Sequence, residues 1–163
     1  MKVRQAAPSE IEVLARLWYD GWQDAHAAIL PEALARVRTL QSFANRLRSA
    51  WGDVWTVGEV GAPAGFYILR DAELYQFFVA AQARGQGVAQ ALMADAEQRA
   101  RGAGVEMLWL ACAIGNERAA RFYEKCGWQR AGLMISRLDT VEGPFDLEVW
   151  RYEKCLGATR APT

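Results

Sequence analysis

The stretch Arg84-Gly85-Gln86-Gly87-Val88-Ala89-Gln90 places two glycines one residue apart immediately before a helical pattern. Glycine costs a helix about 1 kcal/mol relative to alanine, so propensity does not account for it there. Three readings compete: a loop that needs positive φ, a helix start too close to another backbone for a Cβ, and a phosphate cradle. In a cradle, bare backbone N–H groups face an anion and the helix N-terminus adds its positive dipole end. A second group of residues is Asn116, Ala119, Phe122 and Tyr123. Asn116 has the residue type of a helix N-cap. Tyr123 shares an apolar face with Ala119 and Phe122, the place of a core tyrosine with its hydroxyl at the rim. A third is Glu73, which begins the aromatic run Glu-Leu-Tyr-Gln-Phe-Phe-Val-Ala. Its carboxylate reads either as a solvated strand-end charge or as a general base. By the period of two, Glu73, Tyr75, Phe77 and Val79 share one strand face. Trp18, Trp22 and His26 recur at every fourth position of the first helical segment and read as a core stripe ending in a histidine.

Several chemistries fail on their own terms. A dinucleotide fingerprint needs a third glycine, where Gln90 stands, and an acidic residue after the next strand. A Walker A loop needs a terminal Gly-Lys-Ser/Thr, which is missing. His26 is the one histidine, and Cys112, Cys126 and Cys155 form no CxxC pair, so no metal is expected. Lys plus Arg equals Asp plus Glu, 19 each, so no global field advertises nucleic acid or an anionic membrane. No apolar run approaches the roughly 18 residues of a membrane span, and the N-terminus lacks a signal-peptide core. These features point to a reduced, cytoplasmic protein. Of its 163 residues 52% are hydrophobic, enough for one well-buried core.

The elements that must position these residues follow in order. Lys2 to Ala6 alternates as a first strand. Ser9 reads as N-cap of a helix to about Ala27, with Glu12 completing a capping box. Pro31 restarts one helical segment carrying Leu34, Val37, Leu40 and Leu47. Trp55–Val60, Gly65–Arg70 and Glu73–Ala80 read as strands. After the glycine loop a helix runs until Gly102 and Gly104 stop it. Met107 to Ala111 is apolar throughout, as a strand covered on both faces would be. A helix from Asn116 to Gly127 and strands over Arg130–Leu138 and Leu147–Glu153 complete the pattern. The fold class is α/β (α+β): a mixed, mostly antiparallel central sheet with a central parallel βαβ pair, flanked by helices on both faces. One domain over 1–154 is expected, followed by a C-terminal tail over 155–163.

Two motifs carry a resemblance. Gln82-x-x-Gly85-x-Gly87 and Arg84-x-x-Gly87-x-Ala89 both fit the pyrophosphate loop Gln/Arg-x-x-Gly-x-Gly/Ala of the GNAT superfamily of N-acetyltransferases. Asn116-x-x-Ala119-x-x-Phe122-Tyr123-x-x-x-Gly127-Trp128 resembles that family's second motif, with Trp128 where the family usually has Phe. The resemblance covers about Val3 to Lys154 and is tightest from Glu73 to Trp128.

The resemblance implies acetyl-CoA as co-substrate. Amides from Gly85 through Ala89, with Arg84, would hold its pyrophosphate, and main-chain groups near Phe78 and Val79 would bond the pantetheine as an added strand. Asn116 would cap its helix and contact the same arm, beside Ala119 and Phe122. Tyr123 would be the general acid that protonates the leaving thiolate. A carboxylate at Glu73 resembles the base of some members, with a water relay through Tyr75 as the alternative. In this family the first two helices wall the acceptor site, which makes Trp18, Trp22, His26 and Tyr75 candidate acceptor contacts. The activity expected is acetyl transfer to a primary amine of a small molecule by direct attack in a ternary complex. Protein or peptide N-acetylation, and a non-catalytic acyl-CoA sensor on the same fold, are the alternatives. The final strands are a candidate homodimer edge.

Overall fold

The computed structural model describes residues 1–157. Its strands are β1 (Val3–Gln5), β2 (Val54–Val57), β3 (Gly65–Arg70), β4 (Glu73–Val79), β5 (Met107–Ala113), β6 (Gln129–Leu138) and β7 (Phe145–Cys155). The helices are α1 (Ile11–His26), α2 (Glu32–Val37), α3 (Leu40–Ser49), α4 (Val88–Gly102) and α5 (Glu117–Lys125). All seven strands form one sheet in the order β1-β2-β3-β4-β5-β7-β6. Only β4 and β5 run parallel, in mid-sheet, with α4 as their crossover, as a βαβ unit requires. One apolar cluster packs α4 and α5 on one face of the sheet, through Leu92, Met93, Ala96, Ala120 and Tyr123. The other packs α1–α3 on the opposite face, through Leu14, Trp18, Leu34, Phe43 and Leu47. β7 runs through Cys155, which pairs with Met107, and Leu156 is buried. The tail boundary expected at 155 therefore falls inside the strand, while residues 158–163 lie outside the described residues.

Local chemistry departs from the expected pattern in four places. Ser9 does not cap α1. It is exposed in a 3-10 turn over Pro8–Glu10, and Glu10 reaches back to accept from Ala7 N at 2.9 Å. Glu10 also binds Arg4 through both oxygens, at 2.7 and 2.9 Å, and Gly61 N at 3.1 Å. The segment after Pro31 is two helices, because Thr39 Oγ1 accepts from Ser42 N at 3.1 Å and starts α3 afresh. β5 is covered on one face only: Leu108, Leu110 and Cys112 are buried, while Met107 and Ala111 are exposed.

The fourth departure shapes the site. In the β3–β4 ladder Ile68 faces Gln76 but Leu69 faces Leu74, so β4 carries an extra residue, a bulge at Tyr75. A bulge breaks the period of two. Tyr75 packs with the α1–α3 cluster, whereas Phe77 and Val79 pack with the α4–α5 cluster. Tyr75 and Phe77 thus do not share a face.

Candidate active site

β4 and β5 touch at a single register pair, Glu73 with Trp109, next to a bond from Trp109 N to Ala72 O at 3.0 Å. Beyond it the two strands part. Their inner edges leave the gap in which the site lies.

On the α4 side the gap opens into a cleft of about 650 Å³. One wall is the glycine loop. Gly85 and Gly87 both have left-handed φ, +78° and +81°, and a Cβ on either would meet open space. The chain therefore needs glycine there for its backbone turn and not for lack of room. Gly87 is the N-cap of α4, and the first intrahelical bond of that helix runs from Ala91 N to Gly87 O at 3.1 Å. The amides of Val88, Ala89 and Gln90 therefore have no helical acceptor. All three residues line the cleft, as do Arg84, Gly85 and Gly87. Gln86 does not line it. Its side chain donates back to Gln82 O at 3.3 Å.

The opposite wall is the start of α5. Asn116 caps it, Oδ1 accepting from Ala119 N at 3.4 Å. Asn116, Ala119, Phe122 and Tyr123 all line the cleft together with Phe78 and Val79 of β4. Phe122 stacks on Phe77, centroids 5.6 Å apart. The floor is apolar, the loop wall presents unpaired N–H groups, and Arg84 and Arg118 stand at the mouth. A ligand with an apolar stem and an anionic end fits these walls. Asp24 of α1 binds both arginines, Arg84 at 2.8 Å and Arg118 at 3.1 Å. The sequence reading missed the clamp made by Asp24 and Arg118.

Tyr123 is buried between Trp128 and Tyr152, at centroid distances of 6.1 and 5.9 Å. Burial pushes its phenol well above the usual value, so it remains a protonated donor. Among the described residues no group hydrogen-bonds its hydroxyl.

Tyr123 also lines a second cavity of about 150 Å³ on the α1–α3 side of the gap, shared with Glu73, Tyr75, Trp22 and His26. The structure thus brings Glu73, Tyr75, Trp22, His26 and Tyr123 around one space. Trp18 is not among them: it is fully buried against Phe43 and Phe66 and lines neither cavity. Only the last two members of the Trp18-Trp22-His26 stripe reach past the core. Glu73 is pushed up by burial, offset by Arg70 at 3.5 Å. His26 is held down at about 4 by burial and is neutral at pH 7. Its Nε2 accepts from Asn116 Nδ2 at 3.5 Å. Burial pushes the Cys112 thiol up to about 12, which removes it as a nucleophile.

Two further residues of this cavity escaped the sequence reading, Arg38 and Arg46. Arg38 sits four residues after buried Leu34 and directly after buried Val37. A charge continuing an apolar helical stripe was the available signal. Among the described residues no group of His, Cys, Asp and Glu side chains is placed to hold a metal ion, and no helix is long and apolar enough to cross a membrane.

Comparison with known proteins agrees with this geometry. The family model for the acetyltransferase (GNAT) family matches residues 12–128. A GCN5-related N-acetyltransferase from Rhodopseudomonas palustris is similar in structure, with a TM-score of 0.73 at 19% identity over 94% of both chains. YjaB from Escherichia coli gives 0.67 at 24% identity, over 96% of this chain and 98% of its own. The PaiA N-acetyltransferase from Thermoplasma acidophilum, solved in complex with coenzyme A, gives 0.64 at 17% identity, over 94% and 98%. At these identities the likeness is one of fold. No curated protein matches the chain.

Proposed function

The chain belongs to the acetyltransferase (GNAT) family, and from that premise we propose that it moves the acetyl group of acetyl-CoA to the primary amine of a small molecule, by direct attack in a ternary complex. The observation that carries this reading is that Tyr123 lines both cavities, the long cleft and the smaller chamber across the β4–β5 gap. A thioester in one and an amine in the other would meet at its hydroxyl.

The residues take these roles. Amides of the loop from Gly85 to Ala89, with Arg84, hold the pyrophosphate. Gln86 contributes through its backbone only. Backbone groups of β4 near Phe78 and Val79, which have no β5 partner, bond the pantetheine as an added strand would. Asn116, Ala119 and Phe122 flank that arm. Glu73 takes the proton of the ammonium form, and its raised pKa makes it a better base than an ordinary carboxylate. The amine nitrogen then bonds the thioester carbon and the C–S bond breaks. Tyr123 gives its proton to the departing sulfur, whose thiol has a pKa near 8.5. The nitrogen sheds its second proton to solvent as the amide forms, Tyr123 is reprotonated from solvent, and Glu73 returns the first proton to solvent. With Cys112 protonated, transfer needs no acyl-enzyme.

The size of the second cavity favours a small acceptor over a protein N-terminus. Arg38, which lines it, is tied to the β6–β7 loop by its Nη1 donating to Asp139 O at 3.0 Å. An exposed apolar pair on the edge strand β6, Leu133 and Ile135, is the surface on which we propose a homodimer. Calorimetric titration with acetyl-CoA, NADH and ATP tests the cofactor assignment. Acetyl-CoA alone is expected to bind, and Gly87→Glu to abolish it. No acetyl-CoA binding overturns the reading.

A further inference from the structure

The second cavity is unusual in its charge. Arg38 is only 4% exposed, yet among the described residues no carboxylate comes within ion-pair distance of it. Among the described residues its guanidinium makes one hydrogen bond, to the backbone oxygen of Asp139. Arg46 is half-buried and also has no acidic partner. It donates to Tyr75 Oη at 2.9 Å and lies over the Trp18 ring at 4.3 Å. Burial, and then repulsion from Arg46, lowers Arg38 to about 10, against a weaker opposing pull from Tyr75 and the Asp139 carboxylate. The one carboxylate lining the cavity, Glu73, is already turned to Arg70.

Removing a cation from water without a counter-charge is costly. The same fold shows how it treats a buried charge that serves structure: Glu10, fully buried, is met by Arg4 and by the amides of Ala7 and Gly61. Arg38 and Arg46 have no such company. Beside them His26 Nδ1 is buried without a partner, and Ser136 adds a hydroxyl to the lining. A cavity with two planar forks of donors, neither of them ion-paired to the one carboxylate that lines it, can receive an anion, and a carboxylate matches that fork geometry.

We propose that the acceptor is a small amine that also bears a carboxylate, an amino-acid-type substrate, whose carboxylate is held by Arg38 and Arg46 while its nitrogen lies toward Glu73 and Tyr123. This rests on the acetyl-transfer reading above and names the substrate class of that site. It also sets a discrimination. A plain alkylamine or diamine, cationic at neutral pH, enters a cavity where Arg38 and Arg46 outnumber Glu73, whereas the acid brings a net-neutral zwitterion whose carboxylate meets the two cations.

The test is a thiol-release assay on the wild-type protein with glycine, β-alanine and γ-aminobutyrate, each beside its carboxamide, and with the aminoalkyl sulfonate and phosphonate analogues. The best carboxylate is expected to exceed its carboxamide in kcat/KM by about 30-fold, as loss of a charge-assisted hydrogen-bond pair implies. Arg46→Gln, at a half-exposed site, should collapse that ratio towards one by raising KM, with the acetyl-CoA Kd unmoved. Arg38→Gln should do the same if it folds. Independently of turnover, calorimetry of the CoA-bound protein should register N-acetyl-β-alanine and not its amide. Equal use or equal binding of acids and amides overturns the proposal, as does preference for the sulfonate or phosphonate. Failure to bind acetyl-CoA would instead overturn the cofactor assignment, so the two failures are distinct.

Discussion

Asp24 of α1 reaches across the mouth of the cleft to Arg84 of the glycine loop, Oδ2 to Nη2 at 2.8 Å, and the same oxygen lies 3.1 Å from Arg118 of α5. The hydrogen bonds from Arg84 and Arg118 hold its carboxyl below the usual range. The carboxylate competes for the cations that a pyrophosphate would use. Asp24→Asn is expected to tighten acetyl-CoA binding about 2- to 5-fold at low salt, the scale of an exposed ion pair. The gain should shrink as salt screens the cluster. Calorimetric titration at two ionic strengths checks it; weaker binding would mean that Asp24 positions Arg84 and does not compete for it.

Tyr123→Phe keeps every ring contact and removes only the proton donor. We expect kcat to fall by about 100-fold or more, the usual contribution of a positioned acid, with KM nearly constant. Thermal stability should hold, since among the described residues the hydroxyl has no protein partner. An unchanged kcat would strip Tyr123 of its role.

As the proposed base, Glu73 would act only when ionised. Burial raises its pKa and Arg70 opposes that shift. At saturating substrates kcat should therefore rise with pH through a value above that of a free carboxylate and then level off. Arg70→Gln removes the opposing cation, so the rise should move to higher pH. Glu73→Gln should abolish the rise and lower the plateau. A pH–rate profile that Arg70→Gln leaves in place would argue against Glu73 as base.

Glu10 links stability to acid. Its hydrogen bonds to Arg4 and to the Ala7 and Gly61 amides lower it from 4.5 to about 2, equivalent to about 3 kcal/mol. A depressed folded pKa gives stability that is complete above the unfolded value and is lost as pH falls towards 2. His26, lowered from 6.5 to about 4 by burial, works in the same direction at higher pH, because the unfolded chain takes up that proton first. Wild-type Tm should decline below about pH 6.5 and steeply below about 4.5. Glu10→Gln should be less stable by about 3 kcal/mol at pH 7 and lose most of the lower, steeper decline. Urea titrations across pH measure both.

Much of the wall of the long cleft was legible because its signals are local. Arg84 to Gln90 and Asn116 to Tyr123 are each contiguous, and a helix start or cap needs only the next few residues to form. Gln86 was the exception, since its side chain bonds Gln82. The lining of the second cavity was read less well. Trp18 and His26 share one helical stripe, but whether a position on it faces core or cavity depends on what packs above, and Phe43 with Phe66 closes over Trp18. Ser9 had the right residue type for a cap, yet Glu10 occupies the N-cap position of α1 and caps nothing with its side chain, because Arg4 and the Ala7 and Gly61 amides hold its carboxylate.

By itself the sequence determined the order of the strands, the mid-sheet βαβ unit and the glycine turn that starts α4, all consequences of periodicity and backbone freedom within a few residues. Tertiary structure decided the rest. The bulge at Tyr75 exists only in register with β3, and the β4–β5 gap exists only because pairing stops at Glu73. Arg46 meets Tyr75 from 29 positions away, and Asp24 meets Arg84 from 60. Such encounters are set by how two layers of helices close on a sheet, and no local pattern of residue types encodes that geometry.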